Sequence, residues 1–565
     1  MVLSKSTVTC SSVLISSSRY IGICVDSAET MTKRICIVGG GASGLTAIKA
    51  CLEQNLEPVC YEWTNHLGGL WRYREDDVHG LGSVMRSTII NSSKEVSAFS
   101  DFPPPKEYPN YMHNSKMIRY IEMYAKKFDL VRHIIFEHEV QKIEQSPDYD
   151  ETGRWVVTVQ KVGDLDPKSE TFDGVMVCAG HHVFPIIPKF PGQDSFKGRI
   201  IHTHSYKKPN GYDDKKVLVV GVGNSGGDVA VELSNIASQV YLSTRRGAWV
   251  IHRVGPGGKP LDIFLMRRLW NFFFNHLPYP MVCYIAEREI NGRFDHDLYK
   301  MKPEHHIFGQ HPMVNDALPN RILSGTVMVK GDVKEFTPKG VIFDGEDEEV
   351  AVDEVVLATG YKIHFPYISK DLVWVEDNKV ELFKFAFPPK LKHNSLILIG
   401  LGQPVGPLMP ISELQSRIFA LHMNGKIKLP SQEEMLADIR RKDVEMQKRY
   451  FSGPRHTIQM DWINFMDELA ALAGVQPDLP ALFFSDPVLF YSCFFGPCLP
   501  YQYRLRGPNA WPQARQAILE ADDRVVGALN TRKVLKRKTE DISILKFLMA
   551  TVGIVLFAFF LANVA

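Results

Sequence analysis

Two glycine-rich loops, each leaving an apolar strand-like run and entering a helix-like segment, constrain this 565-residue chain more than any other feature. The first is Gly39-Gly40-Gly41-Ala42-Ser43-Gly44, after Ile35-Cys36-Ile37-Val38. The second is Gly221-Val222-Gly223-Asn224-Ser225-Gly226, after Val217-Leu218-Val219-Val220. A lone glycine cluster is common in turns. Two in strand–loop–helix context, each followed by the next strand, define two dinucleotide-binding units. A chain that holds two dinucleotides at once is suited to redox chemistry between them.

The two units differ where their second strands end. In the first, a helix over Leu45–Gln54 and a strand over Pro58–Tyr61 lead to Glu62. That is about 20 residues past the loop, where a carboxylate accepts a ribose hydroxyl. In the second, a helix over Asp228–Ala237 and a strand over Val240–Ser243 lead to Thr244-Arg245-Arg246. Arginines attract a ribose 2′-phosphate that a carboxylate would repel. The first site (Gly39, Gly41, Ala42, Ser43, Gly44, Glu62) therefore suits FAD or NAD. The second (Gly221, Gly223, Asn224, Ser225, Gly226, Thr244, Arg245) suits NADP.

A formal net charge of +1 gives no footprint for a nucleic acid. The nine cysteines include no Cys-x-x-Cys pair, which disfavours a disulfide reductase. Cys36, Cys60 and Cys178 read as buried reduced thiols, Cys493 and Cys498 as thiols on an apolar surface. A short repeat relates Asp173–Gly180 (DGVMVCAG) to Asp353–Gly360 (DEVVLATG), two buried strands ending in a small residue and glycine. Such segments mark domain crossings in two-dinucleotide flavoproteins.

The expected fold is α/β: two Rossmann-like domains, the NADP domain inserted in the FAD domain, plus a C-terminal transmembrane helix. Residues 1–30 read as a disordered extension without a secretory h-region. Residues 31–185 open the FAD domain. Residues 186–355 form the NADPH domain, with an aromatic, aperiodic insertion at about 251–320 that covers the site or touches a membrane. Residues 356–450 return to the FAD domain, 451–541 form a helical region and 542–565 the anchor. From Phe547 to Ala565 there is no charge, and the apolar run from Ile542 is long enough to cross a bilayer as a helix. Lys546 can snorkel, and Arg532, Lys533, Lys536, Arg537 and Lys538 place the upstream side in the cytoplasm.

Between the loops, Phe196, Gly198, His202 and Tyr206 form F-x-G-x-x-x-H-x-x-x-Y. This signature resembles that of the flavin-containing monooxygenase family, and the resemblance runs from Met31 to the anchor. Leu67-Gly68-Gly69-Leu70-Trp71, Asn91-Ser92-Ser93-Lys94-Glu95 and Phe102-Pro103 with Met112-His113-Asn114 are similar to family segments. So are Ala358-Thr359-Gly360-Tyr361 and Gly507-Pro508 with Trp511-Pro512. The departures are the N-terminal extension and Arg246, where many relatives carry a small residue.

The resemblance implies an NADPH-dependent enzyme of the N,N-dimethylaniline monooxygenase type, with FAD and NADPH as cofactors. O2 adds to reduced flavin at C4a, and the hydroperoxide oxygenates a soft nitrogen or sulfur nucleophile of a small amine or sulfide. Retained NADP+ helps keep water out. The resemblance further implies the endoplasmic reticulum membrane, with the catalytic part facing the cytosol and lipid contact through the tail. A homo-oligomer is left open.

On that picture Asn91 is the catalytic, flavin-facing residue, a neutral amide that donates without acidity. A turn or N-cap role stands beside it. Gly69, Leu70, Trp71 and Gln403 join the cofactor-binding set, with packing as the second reading for Trp71 and a turn for Gln403. His202 is either a base or, preferably, a histidine that fixes the interdomain linker. His305, His306 and His311 read as a solvated loop, and no metal is expected. Baeyer–Villiger enzymes on this fold usually close the signature with Trp rather than Tyr206, which favours N- or S-oxygenation. An NADPH oxidase on the same fold and a tail-anchored nucleotide-binding scaffold compete with the monooxygenase reading.

Overall fold

Apolar runs that can be buried on both faces form parallel strands, and this chain has two sets of them. In the computed structural model, which describes residues 32–450 and 457–532, the first set begins with β1 (Arg34–Val38), helix α1 (Ala42–Glu53), β2 (Glu57–Glu62), β3 (Ile134–Phe136) and β4 (Gly174–Val177). The second follows as β5 (Arg199–His202), β6 (Lys216–Val220), α2 (Asn224–Leu233), β7 (Gln239–Ser243), β8 (Val327–Lys330) and β9 (Glu354–Leu357). Helices α3 (Arg268–His276) and α4 (Tyr279–Asn291) lie between β7 and β8. The chain then returns through β10 (Leu396–Leu398) and α5 (Met409–Met423).

The first sheet has the order β10-β4-β1-β2-β3 and the second β8-β7-β6-β9-β5. All these pairings are parallel. In each sheet the strand feeding a glycine loop is central. It is flanked by the strand that follows the loop helix and by one copy of the sequence repeat, β4 or β9. Each loop thus opens where the strand order reverses, the crevice in which open α/β sheets bind ligands.

Both loop helices begin earlier than the sequence suggested, at Ala42 and Asn224. The middle glycines, Gly41 and Gly223, are extended (φ −77° and −91°) and act as N-caps. The last loop residues therefore already form the first helical turn. Helix α2 ends at Leu233, and the amides of Ile236 and Ala237 both turn back to the Leu233 carbonyl.

The insertion is not aperiodic: it contains α3 and α4. Its helices were illegible because they do not bury their aromatic residues. Trp270, Phe272 and Phe273 on α3, and Tyr284 and Ile285 on α4, are exposed. Cys493 and Cys498 are fully buried rather than on an apolar surface. They lie behind Arg268, whose guanidinium pairs with Asp467 at 2.5 Å and donates to Gln502 at 3.1 Å.

Helix α1 packs on α5, which is buried along nearly its whole length. Glu413 of α5 pairs at 2.9 Å with Arg504, itself 1 % exposed, and so ties the C-terminal region to the first sheet. Among the described residues no helix is long and apolar enough to cross a membrane. The extension at 1–30 and the anchor expected at 542–565 lie outside the described residues.

Candidate active site

The three glycines of each loop are required for three different reasons. Gly39 and Gly221 have φ of +101° and +109°, which side chains rarely adopt. A Cβ there would also lie 2.9 Å from the Cys178 carbonyl oxygen and 2.5 Å from that of Ala358. A Cβ on Gly44 or Gly226 would strike the carbonyl oxygen of Gly39 or Gly221, so these glycines allow the helix to close on its own loop.

Gly41 and Gly223 are different. A Cβ on Gly41 would meet nothing closer than the Gly69 Cα at 3.6 Å, and one on Gly223 has nothing within 4 Å. Their backbone angles suit any residue. The protein itself gives no reason for glycine at either position. A Cβ would fit in ordinary contact at Gly41 and in open space at Gly223. Glycine at both leaves the backbone N–H groups and the helix dipole uncovered, as a bound pyrophosphate would require.

Glu62, 7 % exposed, joins the end of β2 to the first loop. One carboxylate oxygen accepts the Gly40 amide at 2.7 Å, the other the Thr64 amide and hydroxyl at 2.9 and 2.7 Å. A carboxylate has about four acceptor sites, so capacity for a ribose hydroxyl remains. The Gly68 amide donates to the Gly40 carbonyl at 3.0 Å, bringing Gly69, Leu70 and Trp71 against the loop as a short 3-10 turn. Trp71 packs on the core. Ser43 donates to Ser412 of α5 at 3.1 Å, and a Cβ on Gly400 would lie 2.8 Å from the Ser43 hydroxyl. The segment after β10 therefore reaches the same loop. Further along that segment, Gln403 lies in a short strand rather than a turn. Its amide donates to the Ile458 carbonyl at 2.8 Å, and its side-chain oxygen accepts from Gln459 at 2.6 Å.

At the second loop, Asn224 accepts the Val314 amide at 2.8 Å, and Ser225 lies in the first turn of α2. Asn315 donates to Asp228 of α2 at 3.0 Å, and burial pushes that carboxyl up to about 6. Past β7, the Thr244 hydroxyl accepts the Gly247 amide at 2.9 Å. Arg245 is 62 % exposed, with its Nε 3.8 Å from Asp332, a loose pairing that leaves its charge available.

The signature residues bind the linker to the second sheet. Phe196 packs on Phe336 with ring centroids 5.4 Å apart, and a Cβ on Gly198 would strike the Asp353 carbonyl. His202 closes β5: its Nδ1 accepts the His204 amide at 3.1 Å, and its ring meets the edge of Tyr361. Burial pushes His202 down to about 4, so the ring is neutral at pH 7. Tyr206, fully buried, donates to Glu232 of α2 at 2.8 Å.

Asn91 does not cap a helix. Its Oδ1 accepts from Arg253 at 2.7 Å, a contact from the inserted segment that no sequence motif signals. Nor are the three histidines a single solvated loop. His306 is exposed and pairs with Glu287 at 2.9 Å, whereas the His311 ring is enclosed and burial pushes it down to about 4. Cys283, Glu287 and His306 are the one group of three metal-type ligands within 4.8 Å of one another among the described residues. The positive charge of Arg449 acts on that thiol.

Two parallel sheets, each with a glycine loop leading from its central strand into a helix N-terminus, define a protein with two dinucleotide-binding folds. The flavin-binding monooxygenase-like family matches residues 32–564. Flavin-containing monooxygenase 5 of Rattus norvegicus is 47% identical over 532 residues, spanning 94% of this chain and 99% of that protein. Dimethylaniline monooxygenase (N-oxide-forming) 2 of Oryctolagus cuniculus is 42% identical, spanning 92% of this chain and 97% of that protein. The structure of S-allyl-L-cysteine S-oxygenase from Allium sativum shares the fold, with a TM-score of 0.61 at 22% identity, over 88% of this chain and 98% of that one. The chain belongs to the flavin-binding monooxygenase-like family. It is an NADPH-dependent flavin monooxygenase with FAD and NADPH as cofactors.

Proposed function

We propose that this enzyme oxygenates soft nitrogen or sulfur nucleophiles of small molecules, with FAD on the first sheet, NADPH on the second and Asn91 at the junction. The observation that carries this reading is the pair of middle glycines, Gly41 and Gly223, where the protein would tolerate a Cβ yet has none, which supports a pyrophosphate at each helix N-terminus. Bound FAD would supply the redox chemistry, namely two-electron reduction by NADPH and transfer of one oxygen atom of O2 to the substrate with the other released as water. The chain's own residues bind and orient. Gly39, Gly44 and Glu62 shape the first loop, with Gly69, Leu70, Trp71 and Gln403 beside it. Gly221, Gly226, Asn224, Ser225, Thr244 and Arg245 do the same for the nicotinamide dinucleotide, Arg245 reaching its 2′-phosphate. Asn91 offers a donor that carries no acidic proton.

The nested division of domains at 185, 355 and 450 is part of the proposal. Its support is the course of the chain, which leaves the first sheet after β4, builds the second and returns at β10. The segment 542–565 is proposed to anchor the enzyme in the endoplasmic reticulum membrane with the catalytic part in the cytosol. The charge-free run and the basic residues before it support this. The exposed aromatics of α3 and α4 suit that part of the insertion to a membrane, while Arg253 of the same insertion reaches Asn91. The test of substrate class is product analysis on a tertiary amine, a thioether and a ketone. N-oxide and S-oxide are expected. Ester from the ketone alone would favour Baeyer–Villiger chemistry, and hydrogen peroxide alone an oxidase.

A further inference from the structure

Arg253 is held from several directions. Its amide and one guanidinium nitrogen donate to the two oxygens of Asp316, at 2.9 and 3.1 Å. Its carbonyl accepts the Tyr111 hydroxyl at 2.9 Å and the Leu261 amide at 2.8 Å. Its remaining terminal nitrogen donates to Asn91 Oδ1 at 2.7 Å. The side chain is 15 % exposed, and the positive charge also acts on Asp228 of α2, the helix behind the second glycine loop. Asn91 and Tyr111 precede β4, whereas Arg253, Asp316 and Asp228 lie between β6 and β9. The guanidinium therefore bridges the two halves of the site.

A guanidinium has five donors and no acceptor. Whatever amide atom faces it must be the oxygen, so Nδ2 of Asn91, with its two donors, is turned away from Arg253. The neighbouring backbone is held as well, since the Ser93 amide donates to Asp262 at 2.5 Å. We propose that Arg253 is the positioning residue that fixes the polarity of Asn91, committing its carboxamide to donate toward the dinucleotides. This rests on the role proposed for Asn91. It adds that the second half of the site decides which way that amide points.

The experiment compares Asn91→Ala, Asn91→Asp, Arg253→Met, Arg253→Lys and Asn91→Ala/Arg253→Met in the flavin-loaded enzyme. Three quantities are read: flavin content, the dissociation constant of NADP+ from its perturbation of the flavin spectrum, and hydrogen peroxide released per NADPH. The leak is balanced as NADPH, H+ and O2 giving NADP+ and H2O2. Because Arg253→Met leaves Asp316 without its partner, Arg253→Met/Asp316→Asn is the second variant if the first fails to fold.

Arg253→Met is expected to keep its flavin, weaken NADP+ binding on the order of tenfold and raise the peroxide fraction, as loss of a charge-assisted hydrogen bond would. Arg253→Lys, which keeps a charged donor, should recover most of both. Asn91→Asp keeps the Arg253 pairing but has only acceptors, so it should leak like Asn91→Ala. The double variant should be no worse than Asn91→Ala, because Arg253 acts only through Asn91. If the Asn91 variants leak and Arg253→Met does not, or if the two effects add, the positioning role of Arg253 is wrong while the role of Asn91 stands. If the Asn91 variants themselves bind NADP+ normally and stay coupled, that role fails and the proposal with it.

Discussion

Replacing Gly41 by alanine should separate what the fold needs from what the cofactor needs. At φ −77° and ψ −170° an alanine is unstrained, and its Cβ would stand 3.6 Å from the nearest atom, Gly69 Cα. Restricting the unfolded chain favours the variant by about 0.4–1 kcal/mol. Loss of a good N-cap costs about 1 kcal/mol. The net change in stability of the flavin-free protein is therefore within about 1 kcal/mol of zero. The effect on FAD is much larger, because the methyl group occupies the space in front of the helix N-terminus. Losing two charge-assisted hydrogen bonds to phosphate costs about 3–6 kcal/mol, roughly two to four powers of ten in affinity. Gly44→Ala is the contrast, since its Cβ would strike the Gly39 carbonyl and should weaken the fold itself. The assay pairs urea midpoints of flavin-free protein with the ratio of flavin to protein absorbance after purification. Gly41→Ala emerging with full flavin, or unfolding as readily as Gly44→Ala, would refute the reasoning.

Arg245→Ala should lower the preference for NADPH over NADH by roughly tenfold to over a hundredfold, the value of a charged contact of about 1.5–3 kcal/mol. Steady-state KM values for both nucleotides check this, and an unchanged ratio would mean the 2′-phosphate is held elsewhere. His296 accepts the Val250 amide at 2.9 Å, faces Asn291 Oδ1 at 2.7 Å and is pushed by burial down to about 4. The unfolded chain thus takes up the proton first, and stability present above about pH 6.5 is lost as pH falls toward 4, by at most about 1.4 kcal/mol per pH unit. His296→Gln should lower the slope of thermal stability against pH across that window by one histidine's share, since His202 and His311 are shifted over the same range, and an unaltered slope would contradict the assignment. Deleting the chain from Ile542 onward should release the enzyme from membranes with flavin bound. A truncated protein that stays in the membrane fraction would point to the aromatics of α3 and α4 instead.

The sequence was most legible where backbone chemistry is most restrictive. Positive φ at Gly39 and Gly221, and helix closure at Gly44 and Gly226, leave only glycine, so both loops could be read directly. The repeat preceding Gly180 and Gly360 was visible because β4 and β9 play the same part beside their loop strands. The helices start earlier than the apolar pattern indicates because the loop's own last residues are helical. The insertion escaped because its two helices are short and turn aromatic residues outward, so their apolar residues do not mark a buried face. The partnership of Asn91 with Arg253 spans 162 residues, and no local pattern encodes a contact of that range.

The most direct test of a two-dinucleotide monooxygenase is isotopic. The purified enzyme is given NADPH, a tertiary amine or thioether and 18O2, and NADPH, product and peroxide are counted together. The expected result is one product per NADPH consumed, carrying one 18O atom from O2, with little peroxide. Product oxygen drawn from water, or NADPH consumption that ends entirely in hydrogen peroxide, would contradict it.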